Sequence, residues 1–251
     1  MLLTLFTVSA GAYVPEASTV EAAPAPATVI AQAPAPAAVP AMPAVVSPAT
    51  ALLAEGVEGL SPKVLAMALD AMACAKAKGV SGRNDLLTVI DYSLPSTEPR
   101  LWVLDLERGE VLFNELVAHG QGSGEKFATR FSNLNDSHQT SLGLFLTGGT
   151  YQGGNGYSMK LKGLEKGFND RAETRYIVMH GAWYVSEDHA RNQGRLGRSW
   201  GCPALSEEMA PRVIDTIKGG SFVYSYGGDQ DWLQAASSNT CGGASAVTAA
   251  G

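Results

Sequence analysis

Arg198-Ser199-Trp200-Gly201-Cys202-Pro203 sets a cysteine between a glycine and a proline, and it follows the pair His180-Gly181 by 22 positions (202 − 180). A thiol attacks only as thiolate, and an imidazole that takes its proton brings the pKa toward neutrality. Glycine before the cysteine lets backbone N–H groups approach a reacting carbonyl, as an oxyanion hole requires. Arg198 adds positive charge nearby, and Pro203 removes a donor and stiffens the turn. A buried structural cysteine in a tight turn is the plain alternative. The polar, glycine-bounded setting and the partner histidine favour a catalytic thiol.

The same stretch also spells G-x-S-x-G over Gly197–Gly201. A serine-hydrolase elbow needs its acid and then its histidine after the serine. The four histidines are His119, His138, His180 and His189, and none follows residue 199. Chain order therefore excludes that reading, and it also disfavours papain-like peptidases, whose histidine follows the cysteine.

His180 is the first choice as base. It ends Arg175-Tyr176-Ile177-Val178-Met179, an apolar, β-branched run that reads as a buried strand, and a rigid strand end is where a base is held accurately. His119 stands in a similar setting, after Leu116-Val117-Ala118 and before Gly120, and is the runner-up. His138 and His189 lie in polar segments and read as solvated.

Gly120-Gln121-Gly122-Ser123-Gly124-Glu125-Lys126 imitates a phosphate loop, but Glu125 occupies the place of the glycine before the lysine, so it reads as a glycine turn. Cys74, Cys202 and Cys241 form no C-x-x-C and there is no H-E-x-x-H, so no metal site is expected.

A chain of 251 residues with 45% hydrophobic content can bury one good core. The net charge of −6 argues against nucleic acid as a partner; Glu16, Glu21, Glu55 and Glu58 precede the first base, Lys63, so the rest is nearly balanced. Residues 1–14 open on an apolar run ending in a small-x-small pattern and read as a secretion signal, too short for a transmembrane helix. Residues 15–59 are an Ala/Pro-rich linker, with eight of the 13 prolines before position 51; such composition buries no core and favours polyproline II. Residues 60–232 form the folded domain, and 233–251 a loose tail.

Within the domain, Ser61-Pro62 opens a helix as N-cap and first-turn proline, Gly79 closes it, and Val64, Leu65, Ala68, Leu69, Met72 and Ala75 give it an apolar stripe. Strands are expected at 86–90, 101–106, 111–117, 142–146, 176–179 and 222–226, with a hairpin turn at Glu107-Arg108-Gly109-Glu110 and a short C-terminal helix near 211–218. The fold class is mainly β with an N-terminal helix.

His180-Gly181 followed by Ser199-Trp200-Gly201-Cys202, together with Thr140-Ser141-Leu142-Gly143-Leu144-Phe145, resembles the signature of YkuD-type L,D-transpeptidases. The wording around Gly197–Leu205 is most similar to a divergent branch, the murein L,D-transpeptidase catalytic domain family. Two positions depart: Trp200 stands where the family has a histidine, and Pro203-Ala204 where many members carry an arginine two residues after the cysteine. The resemblance implies a β-sandwich catalytic domain without cofactor. It implies Cys202 as nucleophile, His180 as base oriented by the Gly181 carbonyl, Ser199 fixing the loop, and backbone N–H groups of Cys202, Gly201 and Trp200 as oxyanion hole. Its substrate would be peptidoglycan tetrapeptide stems in the periplasm or cell envelope, with D-Ala lost and the acyl group passed to an amine, or to water in a carboxypeptidase. Arg198 and Arg195, on a mobile segment that also carries Arg191, are candidates to grip a substrate carboxylate. A thiol hydrolase or amidase of other substrate class, and a non-catalytic wall-binding module, are the competing readings. In an oxidising compartment, Cys74 and Cys241 are the intramolecular pair compatible with a free Cys202; the alternative is that both are incidental.

Overall fold

The run Leu86–Asp91 is buried at every position, as is Leu101–Asp105, and both are rich in β-branched and aromatic residues. Strands covered on both faces read as continuous apolar runs. The computed structural model describes Leu52 and residues 55–238; the expected signal, most of the Ala/Pro-rich segment and the end of the tail lie outside the described residues. Eight strands form one sheet: β1 (Leu86–Asp91), β2 (Leu101–Asp105), β3 (Glu110–Glu115), β4 (Gly143–Gly153), β5 (Gly156–Gly163), β6 (Val178–Gly181), β7 (Ala204–Leu205) and β8 (Phe222–Tyr226). Their order is β3-β2-β1-β8-β4-β5-β6-β7. β1 with β8 and β6 with β7 run parallel, and the other neighbours are antiparallel.

The chain leaving β3 returns to the opposite edge of the sheet. Ala118 N–H donates to the Ala204 carbonyl at 2.8 Å, and Ser199 N–H to the His119 carbonyl at 3.0 Å. These bonds nearly close the sheet into a barrel and tie the cysteine-bearing loop to the segment holding His119. The mainly β class with an N-terminal helix is as expected, and all eight strands belong to this one nearly closed sheet.

Helices α1 (Pro62–Ala77), α2 (Glu187–Gln193), α3 (Met209–Ile217) and α4 (Gln230–Ser238) accompany the sheet. α1 packs on β1, β4 and β8, and α3 on β5, β6 and β7. Pro62 starts α1 as expected, but the Ser61 side chain makes no cap bond. Gly79, with φ +86°, takes the left-handed conformation that ends the helix.

Several expectations need correction. The strand read from Arg175 begins only at Val178, because Tyr176 sits at φ +56° in a turn where Ile177 N–H donates to the Ala172 carbonyl. The polar segment around His189 is α2: Ser186 Oγ accepts the His189 N–H, Glu187 and Asp188 lie in its first turn, and Gly194 is left-handed at its end. The folded domain reaches past residue 232, since α4 runs to Ser238 and buries Trp232, whose indole donates to Glu165 Oε2 at 3.0 Å. It also starts before residue 60, for Leu52 and Val57 are buried in the core and the Trp102 indole donates to the Glu58 carbonyl at 3.1 Å.

Candidate active site

His180 lies on β6 between β5 and β7, opposite Ser158 on one side and Ala204 on the other. It is buried, and Nδ1 sits 2.8 Å from the Gly181 carbonyl. A carbonyl only accepts, so Nδ1 carries the hydrogen and Nε2 keeps the lone pair in the neutral ring. Burial pushes the imidazole below its ordinary range, partly opposed by the Gly181 bond. Gly181 is small for a packing reason: a Cβ there would meet Glu207 Cα at 3.2 Å and Ala210 Cβ at 3.3 Å, where α3 crosses.

Cys202 enters the site two residues before β7. Because Ala204 is the register partner of His180, Cys202 falls beside Val178, two positions down β6. Strand spacing then separates the Cys202 and His180 Cα atoms by about 8 Å, within reach of the two side chains. Sγ accepts the Val178 N–H at 3.4 Å and donates toward the Tyr176 carbonyl at 3.6 Å. Burial pushes the thiol up, opposed by the Val178 N–H and by the charge of Arg175. The resting group is therefore a protonated thiol. Cys202 is a free cysteine and Cys74 is disulfide-bonded; Cys241 lies outside the described residues.

Ser199 Oγ donates to the Cys202 carbonyl at 2.7 Å and accepts the Gly201 N–H at 3.1 Å. The serine of the G-x-S-x-G decoy thus ties the cysteine loop, and the Gly201 N–H, assigned to the oxyanion hole from sequence, is already spent. Gly201 has φ +118°, and a Cβ there would lie 2.8 Å from the Gln139 carbonyl oxygen. No other residue fits that position without displacing the loop. Trp200 is 71% exposed and stacks on His138 at 4.9 Å, with rings 11° from parallel. His138 and His189, expected to be solvated, both pack against indoles, His189 against Trp183 at 5.6 Å.

His119 is unsuited to the role of base. Arg100 Nη2 donates to its Nδ1 at 2.8 Å, and Nε2 faces the Gly124 carbonyl at 3.4 Å. Both nitrogens are engaged, and the ring is fully buried. Burial, then the charge of Arg100, bring its pKa down to about 4. Arg100 is itself fully buried, donates to the Val117 and Leu94 carbonyls and lies 5.1 Å from the Tyr92 ring.

The arginines expected to grip substrate are already paired. Arg198 Nη1 meets Glu125 Oε1 at 2.6 Å and Arg195 Nε meets Oε2 at 2.9 Å. Arg191 pairs with Glu187 and Asp188 on its own helix. The segment is also less free than a lid would be: Leu196 is fully buried, its N–H donates to Ser96 Oγ at 3.2 Å, and Gly197 N–H donates to the Tyr184 carbonyl at 3.0 Å. The cation acting on Cys202 is Arg175 rather than Arg198. Sequence reading missed Arg175, because nothing local marks a residue whose partners are remote.

Among the described residues no group of three or more His, Cys, Asp or Glu side chains could hold a metal ion, and no helix is long and apolar enough to cross a membrane. A cavity of about 790 Å³ opens between α1 and α4, lined by Met67, Cys74, Leu144, Glu165, Tyr224 and Leu233. It contains no histidine and lies apart from Cys202.

Among solved structures the chain is similar to an L,D-transpeptidase from Mycobacterium smegmatis, with 17% identity, 57% of this chain and 59% of that one covered, and a TM-score of 0.36. It is similar to L,D-transpeptidase 1 of Mycobacterium tuberculosis, with 15% identity, 57% and 62% covered, and a TM-score of 0.33. It is also similar to the helical cell shape determining protein Pgp2 from Campylobacter jejuni, with 15% identity, 65% and 56% covered, and a TM-score of 0.38. The chain spans less than two thirds of the length of these proteins. No curated protein matches it. The family model described as L,D-transpeptidase catalytic domain matches residues 57–226, from the Val57 bridge to the end of β8. That match takes in well over half of the 251 residues and both His180 and Cys202, and the chain belongs to the L,D-transpeptidase catalytic domain family.

Proposed function

We propose that this domain is a cysteine acyltransferase of the cell envelope acting on peptidoglycan tetrapeptide stems. The observation that carries the reading is a histidine whose Nδ1–H is held by the Gly181 carbonyl, leaving Nε2 as the proton acceptor, on the strand whose pairing with β7 brings the loop of a free thiol two positions away. A turn of the Cys202 side chain away from the Tyr176 carbonyl delivers its proton to His180 Nε2; catalytic bonds often tighten only with substrate bound. The thiolate attacks the carbonyl of the L-centre preceding the terminal D-Ala. Negative charge develops on that oxygen, and with the Gly201 N–H held by Ser199, the N–H groups of Cys202 and Trp200 are the donors assigned to it. His180 returns the proton to the departing D-Ala amine, leaving a thioester on Sγ. An amine of a neighbouring stem, or water, attacks the thioester with His180 again as base, and the thiol is restored.

Arg195 and Arg198 share one carboxylate between two cations, so the pair retains net positive charge for a stem carboxylate. The domain works outside the cytoplasm, the expected secretion signal supplying export. Purified protein incubated with disaccharide-tetrapeptides tests the reading by mass analysis. Loss of one alanine and an acyl adduct on Cys202 are expected, with dimers if an amine is the acceptor and tripeptides if water is. Absence of D-Ala release, or its persistence in Cys202→Ala, overturns the assignment.

A further inference from the structure

Arg175 stands in the turn before β6 and is half-buried. Its Nη1 donates to the Ser132 carbonyl at 2.7 Å and to Ser141 Oγ, and its Nη2 to Ser137 Oγ at 3.1 Å and the Gln139 carbonyl at 2.7 Å. All four acceptors are neutral. No ion pair among the described residues includes Arg175. The guanidinium is therefore fixed in orientation while its charge is left uncompensated. A cation withdrawn from water without a counter-ion is costly, and arginine does not shed its proton to escape that cost.

An anion can form next to it. The Tyr176 carbonyl and the Val178 N–H, one and three residues after Arg175, are the groups that contact Cys202 Sγ. On the other side, a Cβ built on Gly201 would lie 3.4 Å from Arg175 Nη2. We propose that Arg175 is a positioning residue that holds the 132–141 segment against Gly201 and supplies the counter-charge for the Cys202 thiolate. The proposal rests on the reading of Cys202 as nucleophile.

The other groups around the thiol do not compete for this role. Tyr92, from the turn after β1, and Tyr184, after β6, interact with Cys202, but burial pushes both up, Tyr184 to about 12, so they stay neutral. His180 is held neutral by burial until it receives the thiol proton. Asp136 on the 132–141 segment is exposed, and His138 of that segment stacks on Trp200. The charge acting on Arg175 is that of Cys202, and Arg175 in turn opposes the burial that disfavours the thiolate. In the step itself the proton passes from Sγ to His180 Nε2, and Arg175 keeps all its hydrogens.

The test is the pH dependence of iodoacetamide alkylation, with the modified cysteine located by peptide mass analysis, in the native chain, Arg175→Gln and Arg175→Lys. An opposite charge within about 4 to 6 Å moves a pKa by about one to three units. Arg175→Gln should raise the midpoint for Cys202 by about one unit or more while leaving the limiting rate at high pH intact, which is about a tenfold loss of thiolate near neutrality. Arg175→Lys keeps the charge but not the planar set of four bonds, and its midpoint should stay near the native one. A purely structural arginine predicts that lysine behaves like glutamine, or that both lose the limiting rate with the midpoint unmoved; either result overturns the proposal. Should neither variant fold, the native chain decides: a fixed cation beside the thiol should make anionic iodoacetate gain on neutral iodoacetamide relative to their ratio at a free thiol, and iodoacetate that gains nothing refutes the counter-charge. Failure of the acyl-transfer reading shows separately, as D-Ala release that survives Cys202→Ala whatever the alkylation profile.

Discussion

His119→Gln separates the two candidate histidines and tests the electrostatics that set them apart. Glutamine can accept from Arg100 through Oε1 and donate toward the Gly124 carbonyl through Nε2, so it copies both contacts of the neutral ring but takes no proton. In the native chain the folded pKa of His119 lies at about 4 against an ordinary 6.5. Between those values the unfolded chain binds the extra proton, so stability rises with pH; it is fully present above 6.5 and is lost as pH falls through about 4. At about 1.4 kcal/mol per unit, that interval amounts to about 3 kcal/mol. The ring is fully buried, so solvent screening does not discount it. Urea unfolding followed by tryptophan fluorescence, run at roughly pH 7 and roughly pH 4, reads the effect as the difference between native and variant. Carboxylates whose ionisation differs on folding, such as Glu165, which burial pushes up, are common to both proteins and cancel. The native chain should lose about 3 kcal/mol more than His119→Gln over that range, and the variant should still release D-Ala. Parallel stability profiles would refute the buried-neutral assignment. A folded His119→Gln without turnover would return the role of base to His119.

Cys202→Ala and His180→Ala should each lower D-Ala release by several orders of magnitude with unfolding midpoints little changed, and the double variant should be no slower than either, because the pair acts as one unit; additive losses would mean that they act separately. Glu125→Gln frees Arg195 and Arg198 and should lower KM for anionic stems, whereas Arg198→Gln should raise it by about tenfold; unchanged KM in both variants leaves the arginines as structural ties to the 120–126 loop. Gly201→Ala forces a side chain to φ +118° and within 2.8 Å of the Gln139 oxygen, which should cost about 2 kcal/mol in urea unfolding and most of the activity. Thiol labelling of unreduced, denatured protein should modify Cys202 alone, with all three cysteines reacting after reduction; three labelled before reduction would sink the disulfide at Cys74.

What the sequence made legible follows from how local each cause is. Helix α1 could be read because its proline start, apolar stripe and closing glycine all lie within its own residues. The buried runs at 86–91, 101–105 and 222–226 announce themselves by composition. β7 could not be read, because two residues become a strand only by pairing with β6. β5 carries a readable alternation, with Met159 and Leu161 buried and Lys160 and Lys162 exposed. It is absent from the expected strands because glycines surround it, in a β4 that bulges between Thr147 and Thr150. The chemistry divides in the same way. His180 and Cys202 stand out as residue types in unusual settings. Arg175 and Glu125 acquire their roles from partners 34 to 43 and about 70 residues away, which only the fold brings near.

The missing arginine after the cysteine and the cation at position 175 are linked by packing. Ala204 is the register partner of His180 on β7, and its N-terminal neighbours Cys202 and Pro203 carry the loop into the strand. Its side chain is fully buried in a cluster with Ala118, Ala182, Val185, Ala190 and Leu196, where the returning segment after β3 closes on β7. A guanidinium at that position would enter an apolar, closely packed pocket made mostly of alanines, beside the Ala118–Ala204 bridge that nearly closes the sheet. The same closure leaves the opposite side of the cysteine loop lined with polar acceptors from residues 132–141, which is where an arginine can be held. Positive charge therefore approaches the thiol from the turn before β6 rather than from the strand after it. The small residue at 204 fits the apolar side of that closure, and the arginine at 175 fits its polar side.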